Sequence, residues 1–265
     1  MATSARNFRN LLAGAVLALS PTLMAQTMTK EAPSEKIWTK ANITAASAFI
    51  TRGITVTKGA VLQPSVWLFH PSGLGAGVWG SFKMNDDPQE PGLDQDRNEV
   101  TKMDFYLSYN LPTPDALSIN VIYAQYYMPQ FEEQNAVSKD TITTIALKTP
   151  LNPFVSVAYG VGGNIKEDIY AEIGAKEKLF VSGKQDVHMG VVWAYRDWNV
   201  NDTELESGET VEIREDGWSH GEITLGYRYD QISIDGHYLV ELNEDVQRIA
   251  TATQFYGSVG YGTVF

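Results

Sequence analysis

The chain has 265 residues, a formal net charge of −12 at pH 7 and no cysteine. The lack of cysteine excludes disulfides, thiolate metal sites and a cysteine nucleophile. The acidic balance argues against nucleic acid as a partner, because phosphate binding requires a basic surface.

The first 25 residues have the pattern of a secretory signal peptide. Arg6 and Arg9 precede an apolar run at 11–19, and Ala25 supplies a small residue at the predicted cleavage site. The run is much shorter than the ~20 residues of a membrane-spanning helix, so we favour removal over an N-terminal anchor. The predicted organisation is a signal peptide at 1–25, a flexible leader at 26–36 and one β-domain at 37–265.

From residue 37 onward, apolar and polar residues alternate with a period of two, the pattern of half-buried β-strands. Phe105 and Leu107, for example, alternate with Asp104 and Ser108. Turn signals divide the chain into twelve such runs. The predicted strands are 37–51, 60–70, 74–84, 99–111, 116–128, 139–148, 154–163, 168–178, 186–196, 218–229, 232–242 and 250–265.

The connections between these runs mostly alternate between long and short. The short ones include HPSG at 70–73, PTPD at 112–115 and Asp230-Gln231, and the long ones include the acidic segments 85–96 and 201–216. Long outer loops, short turns at the other end and an even strand number are typical of outer-membrane barrels. We therefore predict an all-β fold, a transmembrane up-and-down antiparallel β-barrel of about 12 strands, in the outer membrane of a Gram-negative bacterium.

A soluble barrel or sandwich would alternate in the same way, with its apolar face turned inward. The signal peptide, the twelve runs and the loop asymmetry favour the membrane barrel, and two further features support it. Tyrosines and tryptophans on the apolar parity lie near strand ends, as in the aromatic girdles of outer-membrane barrels. The last strand pattern runs to Phe265, and this end resembles the C-terminal signature that the barrel assembly machinery recognises.

The polar positions of the alternating strand pattern carry charges of both signs. We expect them to face the lumen, because Lys or Arg facing lipid near the midplane costs up to about 2–4 kcal/mol. They either line a narrow aqueous channel or pair across the lumen and close it. Small barrels are filled by side chains and large porins hold wide channels, so an intermediate strand number is compatible with either arrangement. The candidate pore-lining residues are Arg52, Lys102, Asp104, Glu172, Lys176, His188, Arg196, Glu222, Arg228, Asp235 and His237.

Residues 48–82, AFITRGITVTKGAVLQPSVWLFHPSGLGAGVWGSF, resemble the start of the TorF family, whose porin role is itself inferred. Segments 103–111 and 168–179 fit weaker later parts of the pattern. Thr51 and Ala60 depart from it, since an aromatic residue and a proline are usual there. The resemblance implies a β-barrel with a porin-like role and no known substrate. The matching residues are Phe49, Arg52, Gly53, Ile54, Gln63, Gly77, Trp79 and Ser81.

Gly53 permits a sharp strand exit with positive φ. Arg52 beside it either faces the lumen and pairs with loop acids or is solvated, and we favour a structural role over solute selection.

A barrel enzyme would need a nucleophilic serine with a histidine base. The chain has four histidines, His70, His188, His220 and His237, and no GxSxG motif. Ser219 and His220 are neighbours on one strand and should point to opposite faces, which argues against contact between them. We therefore predict no catalytic residues and no enzymatic activity.

Asp94, Asp96 and Asn98 have the spacing that opens an EF-hand loop, but Phe105 stands where the ligating glutamate belongs. A solvated loop is favoured over loose binding of Ca²⁺ or Mg²⁺ near lipopolysaccharide. No metal site and no cofactor are predicted.

The function expected from these features is a porin-like outer-membrane channel for passive diffusion of small solutes or ions. The alternatives are a closed structural or scaffold barrel without transport activity and, less well supported, a barrel lipase. Expected partners are outer-membrane lipids and lipopolysaccharide, the barrel assembly machinery, and small solutes or ions. The acidic loops predict attraction of cations to the outer mouth at low salt.

Deletion of Phe265 is expected to lower the amount of folded barrel in the outer membrane, because it removes the predicted assembly signal. The measurement is heat-modifiable electrophoretic mobility of outer-membrane fractions. Phe265→Trp, which keeps an aromatic terminus, is the control and should assemble normally. An unchanged yield after the deletion would contradict the assignment.

Overall fold

The computed structural model describes residues 36–57, 59–84, 100–129, 137–197, 203–204, 210–211, 216–243 and 254–265. The predicted signal peptide 1–25 lies outside these residues, as does the leader 26–36 except for Lys36. The EF-hand-like stretch 94–98 and most of the acidic segments also lie outside them.

The strands follow one another in chain order. They are β1 (Trp38–Ala46), β2 (Phe49–Thr51), β3 (Ile54–Thr57), β4 (Val61–Phe69), β5 (Leu74–Lys83), β6 (Val100–Leu111), β7 (Leu117–Tyr127), β8 (Val137–Leu147), β9 (Pro153–Gly162), β10 (Ile169–Ser182), β11 (Gln185–Asp197), β12 (Thr203–Glu204), β13 (Thr210–Val211), β14 (Gly217–Tyr229), β15 (Ile232–Glu241) and β16 (Gln254–Val264). A short 3-10 helix, Gly163–Ile165, follows β9. The described part of the chain contains no apolar helix of membrane-spanning length.

Twelve of these strands close into one antiparallel barrel, from β1 through β4–β11, β14 and β15 to β16. β16 closes the ring by pairing with β1, from Lys40 opposite Val264 to Ala46 opposite Ser258. Phe265 continues the pairing, since it exchanges two backbone hydrogen bonds with Thr39. The predicted fold class and strand number are confirmed.

The two ends of the barrel differ. The turn end carries the short connections after β4, β6, β8, β10 and β14, together with the pairing of Thr39 and Phe265. The loop end carries the remaining connections. These two names are used below.

The first predicted strand, 37–51, is in fact two elements. β1 ends at Ala46, and β2 pairs with β3 in a separate hairpin, residues 49–57, called here the inner hairpin. Its turn residues Arg52 and Gly53 both have positive φ, 53° and 76°, as a type I′ turn requires. The consecutive buried residues 48–50 break the alternation at the point where the chain leaves the barrel wall.

The other difference concerns β10, which extends to Ser182 instead of ending at 178. A β-bulge between Lys178 and Phe180 inserts Leu179 and interrupts the period-two pattern. The predicted connection 179–185 shrinks to a two-residue turn at Gly183 and Lys184.

The outer face of the barrel is apolar. Exposed aromatic residues lie near both ends of the strands, for example Tyr109 and Tyr229 at the turn end and Trp218 and Phe255 at the loop end. An apolar outer band with aromatic girdles is typical of a transmembrane barrel, whereas a soluble barrel turns its apolar face inward. The exposed aliphatic residues between the girdles include Val66, Leu68, Val78, Leu107, Ile145, Val155, Val157, Ile173, Ile223, Leu225, Ile234 and Val259.

Gly77 on β5 lies directly beneath the indole ring of Trp67, where a Cβ atom would come within 2.3 Å of the ring. Gly77→Ala should therefore destabilise the barrel, by about 1–3 kcal/mol on the scale of overpacked cores. The measurement is the urea concentration that unfolds the detergent-folded barrel.

Gly221→Ala is the matched control, because a Cβ atom at Gly221 meets nothing closer than 3.8 Å. Equal unfolding midpoints for the two variants would show that the wall beneath Trp67 can shift at no cost.

Candidate functional site in the barrel lumen

One side of the lumen, along β1, β4, β5 and β6, is packed with aromatic rings. Trp38 stacks on Phe69 at 4.1 Å between ring centroids, Trp67 lies parallel to Phe69 at 6.0 Å, and Tyr106 stacks on Trp67 at 5.0 Å. Trp67, Phe69 and Tyr106 are almost fully buried. We call this the aromatic side, and side chains fill it.

The inner hairpin folds into the lumen against the loop end of the aromatic side. Phe49 is 2% exposed and packs on Trp79 with ring centroids 5.3 Å apart. On the other strand of the hairpin, Thr55 Oγ1 accepts a hydrogen bond of 2.7 Å from Gln254 Nε2 on β16. The hairpin is thus bound to the wall at both of its strands.

Arg52, at the tip of the inner hairpin, joins it to the opposite wall. Its guanidinium forms an ion pair with Asp140 on β8 and lies over the rings of Tyr126 and Tyr170, at 5.7 and 5.2 Å. The Arg52 carbonyl accepts a hydrogen bond of 3.1 Å from Arg196 Nη2 on β11. Arg52 therefore faces the lumen, and its acidic partner lies on a strand instead of the loops considered from the sequence.

A second ion pair lies beside the inner hairpin. Lys102 Nζ is 3.2 Å from Asp104 Oδ2 and 4.2 Å from the centre of the Tyr126 ring. Tyr106 donates a hydrogen bond of 2.6 Å to the same Asp104 oxygen. Each charge has an opposite charge or an aromatic face next to it, which offsets the cost of burying it.

The other side of the lumen, formed by β10, β11, β14, β15 and β16, is rich in ionisable groups, and we call it the ionic side. At mid-height, Glu222 Oε1 lies 2.5 Å from His237 Nδ1, and Glu222 Oε2 accepts a hydrogen bond of 2.8 Å from Tyr256. The rings of His237 and Tyr256 stack at 4.7 Å.

Nearer the turn end, His188 lies between two carboxylates. Its Nδ1 is 3.1 Å from Asp186 Oδ1 and its Nε2 is 2.5 Å from Asp235 Oδ1. Lys178 Nζ pairs with the other Asp186 oxygen at 2.7 Å. Gly226 makes the contact possible, since a Cβ atom there would lie 1.8 Å from Asp235 and 2.2 Å from His188.

Lys176 and Arg228 also belong to the ionic side, and both are half-buried. Among the described residues, neither forms an ion pair within 4.0 Å. Glu172, closer to the loop end, accepts a hydrogen bond of 2.6 Å from Tyr170.

The structure thus places all eleven candidate residues inside the barrel, in three groups. The loop-end group is Arg52, Lys102, Asp104, Glu172 and Arg196; the middle group is Glu222 and His237; the turn-end group is Lys176, His188, Arg228 and Asp235. Sequence reasoning missed Asp140, Lys178 and Asp186. Asp140 and Asp186 lie at the beginnings of predicted strands, at polar positions of the alternation. That position in the alternation was the signal that could have identified them as inward-facing.

The expectation that Ser219 and His220 point to opposite faces was wrong. A β-bulge leaves Ser219 without a partner on β11, so that both side chains turn inward and Ser219 Oγ lies 3.0 Å from His220 Nδ1. Ser219 is 0% exposed and its hydroxyl also donates to the Ala194 carbonyl at 3.2 Å. A substrate has no access to this hydroxyl as it lies here.

Several buried polar atoms in the lumen have no hydrogen-bond partner in the described protein. They are Gln63 Oε1 and Nε2, Ser81 Oγ, Asp104 Oδ1, Ser108 Oγ, Asn120 Oδ1, His237 Nε2 and Ser258 Oγ. Within the same described ranges, no three His, Asp or Glu side chains are arranged to hold a metal ion.

The fold is shared by a solved outer-membrane barrel. An outer membrane channel from Pseudomonas putida F1 superposes with a TM-score of 0.51 at 9% identity, over 89% of this chain and 98% of that one. NanC porin gives 0.42 at 7% identity, over 86% and 98% of the two chains. Salmonella typhi OmpF in complex with daunomycin gives 0.39 at 9% identity, over 87% and 97%. At 9% identity, the likeness to the Pseudomonas putida channel concerns the fold alone.

No curated protein matches the sequence. The model of a bacterial protein family of unknown function, Gcw_chp, matches residues 30–211. That match covers more than half of the chain, which therefore belongs to the Gcw_chp family.

Proposed function

We propose that the protein is a porin-like channel for passive diffusion of small solutes or ions across the outer membrane of a Gram-negative bacterium. The observation that carries this proposal is the contrast between the two faces of the closed barrel. The outer face is an apolar band, whereas the ionic side turns ionisable residues inward, among them the half-buried Lys176, Glu222 and Arg228. An ionised wall favours water inside the barrel, because charged groups are costly to remove from water, and a hydrated lumen is a path for small polar solutes.

The proposed path is off-centre. The inner hairpin and the aromatic side occupy one half of the cross-section, and the side chains of Trp67, Trp79 and Phe49 are at most 5% exposed. On the ionic side, His188 and His237 are buried as well, but Val192, Glu222 and Arg228 are half-buried. Solutes would pass along the ionic side, with the inner hairpin as the constriction.

The proposed setting follows from the outer surface and from the two ends. The apolar band would contact outer-membrane lipids, and the acidic outer loops would lie among lipopolysaccharide head groups. The turn end would face the periplasm, where the barrel assembly machinery would engage Phe265. The resemblance to the TorF family stays a prediction consistent with this role, and the proposed role is transport, not catalysis.

A closed structural barrel is the second candidate. Its supporting observation is the tight packing around the inner hairpin, where Asp140 and Leu239 are 0% exposed. This candidate requires the hairpin to stay in place and the ionic side to be too narrow for ions.

The two candidates predict different currents in a planar bilayer. Because the chain has no cysteine, single cysteines can be placed without a background. Val192→Cys faces the lumen beside Glu222, and a negatively charged, membrane-impermeant thiosulfonate should react with it and reduce single-channel conductance.

Val155→Cys is the matched control, because Val155 is 46% exposed on the outer face and would be covered by lipid. Its conductance should not change. A folded parent protein without any conductance would reject the channel and favour the structural barrel.

Loosening the inner hairpin should widen the proposed constriction. Arg52→Asn removes the ion pair with Asp140 while keeping a residue type that tolerates positive φ. We expect conductance severalfold above that of the parent and larger current fluctuations.

Lys166→Asn is the control, since Lys166 is exposed at the loop end and its ion pair with Glu167 lies on the surface. Unchanged conductance in Arg52→Asn would mean that the inner hairpin does not set the width of the path.

A further inference from the structure

One strand extends far beyond its neighbour at the turn end of the barrel. β8 ends at Leu147, directly opposite Leu117 at the start of β7, so these two strands are level. β10 is different. Its pairing with β9 stops at Ala175, opposite Pro153, but the strand itself continues to Ser182. The end of β10 therefore projects past the β9 side of the wall.

The turn that follows β8 covers only the first part of this projection. The Leu151 carbonyl accepts a hydrogen bond of 2.9 Å from the Lys176 amide, and Asn152 Nδ2 donates to the Lys176 carbonyl at 3.2 Å. The Glu177 carboxylate accepts a hydrogen bond from the Leu151 amide. Among the described residues, 178–182 pair with β11 alone. Their other side is a free sheet edge, called here the β10 edge.

The β10 edge carries apolar side chains on both faces of the sheet. Leu179, Phe180 and Val181 are between 56% and 58% exposed. Phe180 lies opposite Val187, on the outer face of the wall, and Val181 lies opposite Asp186, whose side chain faces the lumen. A partner that covered the edge would remove apolar surface on either side from water, which stabilises association.

The charges at the two ends of the β10 edge are already paired. Lys178 Nζ lies 2.7 Å from Asp186 Oδ2, and Lys184 Nζ in the adjoining turn lies 2.7 Å from Asp230 Oδ2. These pairs leave no net charge at either end of the edge. The electrostatic complement of the edge is therefore an uncharged apolar segment.

The backbone of the β10 edge selects the class of partner. Its free amides and carbonyls need acceptors and donors at strand spacing, which another polypeptide backbone supplies and lipid does not. Five residues at about 3.3 Å each form an edge of roughly 17 Å, the length of an ordinary strand. A second copy does not fit, because two barrels in one membrane direct β10 the same way, whereas two copies of one edge pair antiparallel.

We propose that the β10 edge is a docking site for an extended, uncharged apolar segment of a partner polypeptide, which adds to the barrel sheet as a further strand. Backbone hydrogen bonds to residues 178–182 hold the segment, and Phe180 and Val181 contact its side chains on the two faces. The site goes beyond conduction: it requires only that the turn end lies outside the bilayer.

Fluorescence anisotropy tests the site on the folded, full-length mature barrel in lipid nanodiscs. The probe is a fluorescein-labelled, end-blocked peptide of three Thr-Val repeats, and we expect it to bind saturably. The same peptide N-methylated along its backbone cannot donate to the edge and should bind at least tenfold more weakly. Equal binding of the two peptides would overturn the proposal.

A substitution in the barrel tests the same contact. Val181 belongs to the inward-facing row that includes Lys176, and residues of one row direct their backbone groups to the same neighbouring strand. Because the Lys176 amide points away from β11, Val181→Pro removes a donor from the free side and keeps the pairing with β11. We expect probe binding at least tenfold weaker.

Val181→Thr is the matched control, because it keeps the amide and the branched shape, and it should bind the probe within twofold of the parent. Unchanged binding by a folded Val181→Pro variant would overturn the proposal. If that variant does not fold, the comparison of the two peptides on the parent protein decides.

Deletion of residues 26–35 separates a partner from a segment of the same chain. Binding to the parent with and without the deletion supports the proposal. Binding only after the deletion would assign the edge to the leader and reject docking of a partner. The bilayer measurement is independent: a conducting barrel that binds no probe keeps the channel and rejects the site, and a silent barrel that binds the probe does the reverse.

Discussion

Closure of the sheet is the constraint on which the rest of this structure depends. In a bilayer every backbone amide and carbonyl needs a partner within the protein, and a sheet achieves this only when its last strand pairs with its first. Here β16 pairs with β1 along seven residues, and the hydrogen bonds of Phe265 extend the seam. Once the ring is closed, each side chain faces either lipid or the lumen. The cost of charge in lipid turns the ionised groups near the middle of the strands inward, whereas charged residues on the outward-facing positions, such as Lys139 and Asp197, lie near strand ends.

That inward crowding explains why the lumen is organised as pairs. A buried charge is tolerated only beside an opposite charge or a strong hydrogen-bond partner. Lys102 with Asp104 and Lys178 with Asp186 satisfy this within one strand or across a hairpin. Arg52 has no strand neighbour, because it sits on the inner hairpin, and it meets the same requirement by reaching Asp140 on β8. The ion pair that neutralises Arg52 is therefore also the contact that holds the hairpin across the lumen.

The barrel followed from the sequence because its signal is local. Alternation, turn residues and loop lengths are properties of neighbouring residues, and they located all twelve barrel strands. The errors occurred where one inserted residue changes the parity. The inserted Leu179 interrupts the alternation, so the predicted strand ended at 178 although β10 continues to Ser182. The bulge at Ser219 turns its side chain inward beside His220, whereas a period of two predicts opposite faces for neighbours. The inner hairpin was missed because residues 49–51 resemble a continuation of β1. The partner of Arg52 lies 88 positions along the chain, and no local pattern connects the two residues.

The division of the lumen into an aromatic and an ionic side depends on where the strands carry glycine. Gly77 on β5 leaves the space in which the Trp67 ring lies flat against the wall, so aromatic rings can stack there without blocking the whole cross-section. Gly226 on β14 leaves the space in which His188 meets Asp235, so ionic groups can connect across three strands. The two glycines lie on different walls and serve side chains of opposite chemistry. The inward-facing residues of a strand thus determine which groups enter the lumen. Glycines on neighbouring strands leave the space that determines which of those groups can contact one another.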